Sequence, residues 1–301
     1  MKRPIRIGTR DSALALWQAN KVAKLLESYD LPNRLHPVKS EGDLNLAQPI
    51  YQMGISGVFT RGLDAALLRG EIDIAVHSMK DVPTALAEGL EVLAVLERGA
   101  TEDVIVKSPT TGATVVATGS LRRKAQWLRR NPNHTITGLR GNVQTRLDKV
   151  YTNPWLGGIF ALAGLERLEI KDLEIEVLDW MLPAPAQGAV VVVAKSDRTD
   201  LKEALALINH SNTALEAQLE REFLRLLEGG CSSPIGAIAR VNGEELLFKG
   251  GLFSLDGSKA VTIEKRTPRS NAVSEVILWV DEILKSGGEE ILKELRDGKD
   301  S

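Results

Sequence analysis

Short apolar runs rich in Val and Ile alternate with longer amphipathic stretches through most of the chain's first two thirds, and this alternation restricts the possible folds more than any other feature. The runs Ile5–Thr9, Ile72–His77, Leu90–Leu96, Asp103–Lys107, Thr114–Ala117, Gly158–Ala163 and Ala189–Lys195 have the length and β-branched content of buried strands. Between them, Ser12–Leu26, Thr60–Leu68 and Leu121–Arg130 carry apolar residues at helical spacing. Strand–helix–strand alternation predicts an α/β fold with mostly parallel, doubly wound sheets and helices on both faces. The strands form two groups, and Ala189–Val193 crosses back to the first. The expected arrangement is one lobe from residues 1–98 plus 188–207 and a second from 99–187. A chain that crosses twice between two lobes sets a hinged cleft between them, which suits ligand enclosure.

From residue 208 to 301 the pattern changes. Ala214–Leu227 reads as an amphipathic helix stopped by Gly229-Gly230. Ala237–Val241, Leu246–Phe253 and Lys259–Lys265 follow, separated by the hairpin signals Asn242-Gly243 and Asp256-Gly257. Ser274–Lys285 and Glu289–Leu295 complete a small α+β domain on an antiparallel sheet.

A net charge of -2 excludes a globally basic nucleic-acid binder, though not a local basic cleft. No stretch reaches the roughly 20 apolar residues of a membrane helix. The N-terminus, from Met1 to Ser12, has no apolar run after its charges and so no secretory signal, which gives a cytoplasmic protein as the expectation. The 4 histidines lack ligand spacing and there is 1 cysteine, so neither a metal site nor an internal disulfide is expected.

Charge is concentrated in residues 121–149, where Arg122, Arg123, Lys124, Arg129, Arg130, Arg140, Arg146 and Lys149 face one acid, Asp148. Lys124, Arg129 and Arg130 fit a solvated helix face. Arg122 and Arg123 differ: they occupy the first turn of a helix, where a cation opposes the dipole at about 0.3–1 kcal/mol each. The placement makes sense if an anion sits against them, and the same helix start offers free N–H groups. Arg140 and Arg146 add further guanidiniums suited to bidentate recognition. The expected ligand is a multiply charged anion, carboxylate or phosphate.

A second cluster follows the strand at 72–77, in His77-Ser78-Met79-Lys80-Asp81-Val82-Pro83. Ligands in open α/β sheets bind at strand C-terminal ends. A carboxylate, Asp81, among cations suits stabilising a developing cation or moving a proton, or else it caps a helix or forms a surface ion pair. His77 reads as a packed strand residue in preference to a base. Cys231 lies in Gly229-Gly230-Cys231-Ser232-Ser233-Pro234, a loop that would expose a thiol. Lone cysteines are otherwise small buried hydrophobes, and the residues alone do not choose between the two.

Seven motifs carry a resemblance that runs in order along nearly the whole chain. They are Ile7-Gly8-Thr9-Arg10-Asp11-Ser12-Ala13, Ala75-Val76-His77-Ser78-Met79-Lys80-Asp81-Val82-Pro83, Ser120-Leu121-Arg122-Arg123, Leu139-Arg140-Gly141-Asn142-Val143, Ala163-Gly164-Leu165, Gln187-Gly188-Ala189 and Glu228-Gly229-Gly230-Cys231. Together they resemble the porphobilinogen deaminase family. The resemblance implies two periplasmic-binding-protein-like lobes plus a small α+β domain. It implies a transferase that joins four porphobilinogens head to tail on a dipyrromethane cofactor and releases hydroxymethylbilane. The cofactor would be thioether-linked to Cys231, and Asp81 would stabilise the cation formed on deamination. Every ring bears an acetate and a propionate, so the anion implied is a polycarboxylate. The resemblance assigns Lys80, Ser78, Thr118, Ser120, Arg122, Arg123, Asn142 and Arg146 to the cofactor, and Arg10, Ser12, Arg140, Arg167 and Gln187 to the substrate. It also implies a monomer with no nucleic-acid or membrane partner.

The sequence departs from the family pattern at four places. Gln52 and Ser56 stand where two loop lysines are usual, Gly119 replaces a serine, and Ala186 replaces a glycine before Gln187. An anion receptor with the same cleft and no covalent chemistry is the main competing reading, and the Gly-Gly-Cys loop argues against it. A phosphate-handling or DNA-binding protein lacks a GxxxxGK[ST] loop here.

Overall fold

The computed structural model describes residues 3–38, 60–227 and 233–297. In chain order, the first lobe contains β1 (Ile5–Thr9), α1 (Ala13–Glu27), β2 (Asn33–Pro37), α2 (Arg61–Leu68), β3 (Ile74–Ser78) and β4 (Leu90–Val95). The second contains β5 (Asp103–Lys107), β6 (Val115–Ala117), α3 (Leu121–Arg130), β7 (Thr135–Thr137), α4 (Val143–Thr152), β8 (Gly157–Ala161), α5 (Leu162–Arg167) and β9 (Ile175–Val177). The chain then returns to the first lobe with β10 (Val190–Lys195) and α6 (Thr199–Ala206).

The two sheets share one topology. Their orders are β2-β1-β3-β10-β4 and β7-β6-β8-β5-β9, and in each the strand arriving from the other lobe lies antiparallel between its neighbours. Four of the five strands in each sheet point the same way, as expected, and one runs against them, so both sheets are mixed. The reason is geometric. Val190 pairs with Ser78 at the end of β3, and Asp103 pairs with Ala161 at the end of β8. A strand that enters from across the cleft begins at the edge where the parallel strands finish, so it runs against them. The chain thus forms two lobes and crosses between them twice. It brings the C-terminal ends of β1, β3, β6 and β8 to the cleft, the edge at which open α/β sheets bind ligands.

Local chemistry fixes the helix starts on that edge. Ser12 caps α1 by accepting from the Ala15 N–H, Ser120 caps α3 by accepting from Arg123 N–H, and Asn142 caps α4 by accepting from Thr145 N–H at 2.9 Å. Behind its cap, α1 buries Ala15, Ala19, Val22, Ala23 and Leu26 on one face, spaced three or four apart. Val22 and Leu26 are each worth about 1.5–3 kcal/mol of burial. The apolar run at 158–163 ends as a strand at Ala161, because Leu162 and Ala163 open α5; short apolar runs do not reveal such a switch.

The third unit contains α7 (Ser211–Leu226), β11 (Ile235–Asn242), β12 (Glu245–Phe253), β13 (Ala260–Pro268), α8 (Ala272–Ile283) and α9 (Glu289–Asp297). Its sheet is an antiparallel meander, β11-β12-β13. Phe223 of α7 meets Phe248 edge-on at 5.1 Å, and Phe248 stacks on Trp279 of α8 at 4.7 Å.

This unit grips the hinge. Arg98 reaches Glu220 of α7 with two nitrogens, at 2.7 and 2.8 Å, and donates to Gln187 O at 2.8 Å. Glu220, fully buried, also accepts from the Ala186 and Ala239 N–H groups. Both crossovers thus end on one carboxylate. Ala186 has a φ of 62°, a left-handed conformation that costs a non-glycine residue about 1–2 kcal/mol. The departure from glycine there is tolerated because Glu220 holds its N–H at 2.6 Å. A side chain at Gly188 is excluded, since its Cβ would lie 2.5 Å from Ala100 O.

Candidate active site

Cations from both lobes converge on one carboxylate. Arg10 and Ser12 follow β1, Ser78 ends β3, and Lys80 and Asp81 form the single helical turn after it. Arg10, Ser12, Gln18, Ser78 and Asp81 line a cavity of about 60 Å³, in which Gln18 Nε2 donates to Ser78 Oγ at 2.7 Å. From the second lobe, Thr118 and Ser120 lie at the start of α3, while Arg140, Asn142 and Arg146 surround the start of α4. Thr118 Oγ1 accepts from Ser120 N at 3.2 Å, and Arg146 Nε donates to Gly141 O at 2.6 Å.

The electrostatics show how crowded the positive charge is. The Arg146 guanidinium is brought down to about 10 by burial and by its neighbours Arg123, Arg140 and Arg10, with Asp81 opposing. Burial and Arg123 bring the Lys80 ammonium down to about 8, against the pull of Asp81 and Asp103. His77, buried on β3 and close to the Arg10 charge, falls to about 4 and is neutral at pH 7. One nitrogen of Arg140, Nη1, is buried with no hydrogen-bond partner among the described residues. An unpaired buried N–H of a cation is costly, and an anion entering the cleft would satisfy it.

Arg122 and Arg123 are placed differently from expectation. Both are buried and both pair with Asp103 of β5, each with a contact of 2.7 Å. Arg122 also donates to Leu182 O at 2.6 Å and Arg123 to Ile159 O at 2.7 Å. The anion demanded by two cations in the first turn of α3 is thus partly supplied from within the chain. Burial would raise the Asp103 carboxyl, but Arg122 and Arg123 outweigh it and hold it well below the usual carboxylate range. Gln187 links this group to Lys80: its Nε2 donates to Asp103 Oδ1 at 3.0 Å and to Thr101 O at 2.7 Å, while Lys80 Nζ donates to its Oε1 at 3.2 Å. Asp103 was not singled out from sequence. Its one signal is a carboxylate opening an otherwise apolar strand.

Arg167 sits at the hinge side of the site. It donates to Gly188 O at 2.6 Å, and its guanidinium lies 5.2 Å from the Trp17 ring of α1, joining α5 of one lobe to α1 of the other. Gly119 allows the 118–120 turn to approach Leu139, whose carbonyl oxygen would be 2.8 Å from any added Cβ. The serine usual in the family does not fit this backbone unchanged. Cys231, Gln52 and Ser56 lie outside the described residues. No group of three His, Cys, Asp or Glu that could hold a metal occurs among the described residues, and no helix among them is long and apolar enough to cross a membrane.

The structure defines a two-lobed α/β protein with a cation-lined interlobe cleft and a third unit clamped to its hinge. Residues 5–203 match the family profile described as porphobilinogen deaminase, dipyromethane cofactor binding domain, and residues 214–284 match the porphobilinogen deaminase C-terminal domain. Porphobilinogen deaminase of Desulfitobacterium hafniense is 40% identical over 97% of this chain and 97% of its own. That of Geobacter sp. strain M21 is 39% identical over 97% and 95%. Among solved structures, a probable amino-acid transporter extracellular-binding protein of Bacillus subtilis overlays 68% of this chain and 89% of its own with a TM-score of 0.43 at 11% identity. The chain belongs to the porphobilinogen deaminase family. Its reaction is the polymerisation of porphobilinogen to hydroxymethylbilane by a transferase that uses a dipyrromethane cofactor.

Proposed function

We propose that the cleft binds the acetate and propionate groups of the growing pyrrole chain through Arg10, Ser12, Lys80, Arg140 and Arg146, with Asp81 as the catalytic carboxylate. The observation that carries this reading is the surplus of cations around Asp81 at the meeting of the two lobes, where the other acid, Asp103, is already paired with Arg122 and Arg123. A dipyrromethane fits these residues: its carboxylates answer the unpartnered Arg140 Nη1 and the crowded Arg146. Thr118, Ser120, Ser78 and Asn142 add neutral polar groups at strand ends and helix starts, and Arg122 and Arg123 add charge from behind. Arg167 and Gln187 would meet the incoming substrate near the hinge. The cofactor supplies a free pyrrole carbon to which the first substrate is joined, and Cys231 is the thiol proposed to hold it as a thioether. The chain is proposed to act in the cytoplasm as a monomer, without nucleic acid.

Asp81 then has one role at two moments. When the aminomethyl C–N bond of porphobilinogen breaks and ammonia leaves, positive charge spreads onto the pyrrole nitrogen. A carboxylate facing that N–H stabilises the charge where the surrounding arginines would oppose it. After the next C–C bond forms to the substrate's methylene carbon, the ring carbon that supplied the electron pair must lose its proton to restore aromaticity, and Asp81 can take it. Lys80 contributes only while protonated. With porphobilinogen as substrate, ammonia release is expected with a kcat/KM that falls above about pH 8, where Lys80 loses its proton. Lys80→Arg should move this alkaline limb upward, because a guanidinium stays charged. Absence of ammonia release overturns the reading, and an unmoved limb in the variant removes Lys80 from it.

A further inference from the structure

Arg221, on α7, reaches across from the third unit to the backbone that carries Lys80 and Asp81. Its Nη1 donates to Met79 O at 3.2 Å and to Val82 O at 2.8 Å, and its Nη2 donates to Pro83 O at 2.6 Å. These three carbonyls bracket the catalytic pair. Apart from these bonds, Met79 N donates to Ala189 O at 3.0 Å and the Met79 and Val82 side chains pack into the first lobe's core, which fixes the two ends of the segment more than the turn between them. It is a single 3-10 turn, Met79–Asp81, closed by one bond from Val82 N to Met79 O at 3.2 Å, and Pro83 has no N–H to give. A cavity of about 440 Å³ adjoins Met79, Thr84, Val92, Gln218 and Arg221 on the side facing α7.

By contrast, α7 is firmly held. Glu216 accepts from Val241 N at 2.9 Å, Glu220 accepts from Ala239 N at 2.7 Å, and Glu220 binds Arg98. Three charge-assisted bonds from a fixed helix to a single short turn orient that turn. The same helix ends at Leu226, just before the segment that contains Cys231.

We infer that Arg221 is a positioning residue for Asp81. It holds the backbone that carries the carboxylate against α7. The inference rests on the proposed role of Asp81. Arg221 acts on Asp81 through the backbone carbonyls of Met79, Val82 and Pro83.

The test uses the full chain carrying its cofactor, with loading measured by intact mass and folding by thermal unfolding. For Arg221→Gln, turnover per loaded molecule should fall about 10- to 100-fold, as expected when a reacting group is misplaced by about 1 Å. KM should stay within about threefold, since the carboxylate-binding cations are untouched. Arg221→Lys should recover part of the loss, and Arg225→Gln, which removes only the exposed pair with Glu222, should leave turnover unchanged. If Arg221→Gln does not fold, the lysine variant decides: reduced kcat at unchanged KM supports positioning. Full turnover per loaded molecule in either folded Arg221 variant overturns the inference, because a purely structural role lowers yield and melting temperature and not kcat. Asp81→Ala is measured alongside. If it remains active, the reading beneath the inference has failed; if it is inactive while the Arg221 variants are fully active, only the inference has failed.

Discussion

Replacing Asp81 with Ala is expected to lower turnover by at least about a thousandfold while leaving the fold and the bound cofactor in place. General acid–base and electrostatic contributions of a single group span roughly 10²–10⁴, and Asp81 is asked to serve as both. Among the described residues the site has no substitute. The charged groups that act on Arg146 and Lys80 include Arg10, Arg122, Arg123 and Arg140, and the other carboxylate among them, Asp103, is already committed to Arg122 and Arg123. Without Asp81, a cation forming on the substrate would meet only positive charge. Binding should survive or tighten, because the cleft becomes more positive toward a polycarboxylate. Ammonia release and intact mass measure the two halves separately. Turnover within about tenfold of the unmodified enzyme would remove Asp81 from the chemistry.

The second large effect concerns stability. Asp103→Ala is expected to cost about 3–5 kcal/mol, because it strands two buried guanidiniums that now share one carboxylate. It also removes an acceptor of Gln187, the residue that reaches Lys80. The Asp103 carboxyl lies well below its ordinary range, so its contribution is present above the pKa of the unfolded chain and is lost as pH falls through the native value. Acid titration should therefore narrow the stability gap between the two proteins at low pH, whereas near neutrality the gap is fully present. Chemical unfolding at both pH values measures this. A loss under about 1 kcal/mol near pH 7 would show that Arg122 and Arg123 find other partners or solvent.

Asp103 also illustrates how far the sequence could be read. The dipole argument asked for an anionic ligand against Arg122 and Arg123, whereas the carboxylate that pairs with both lies about twenty residues upstream, at the start of β5. Only the fold brings β5 beside α3. The same limit hid Arg98, Glu220 and Arg221, which look like ordinary charges until the third unit is docked on the hinge. Long Val- and Ile-rich strands and the capped helix α3 were legible because burial and periodicity agree there. The strands β7 and β9 were not: each has three residues, and all of β9 is exposed. The strand β2, an edge strand ending in proline, carries a similarly weak pattern. Antiparallel entry of β5 and β10 was likewise invisible, since it follows from which edge of the sheet the crossing chain reaches.

The central claim is that this cleft works on a pyrrole chain tethered through Cys231. Intact-mass measurement of the purified protein, beside a Cys231→Ser variant, tests it most directly. The expected result is the sequence mass plus one dipyrromethane, with a positive Ehrlich reaction, and the bare sequence mass for the variant. An unmodified protein that nevertheless converts porphobilinogen to hydroxymethylbilane, or a variant that still carries the covalent group, would contradict the account.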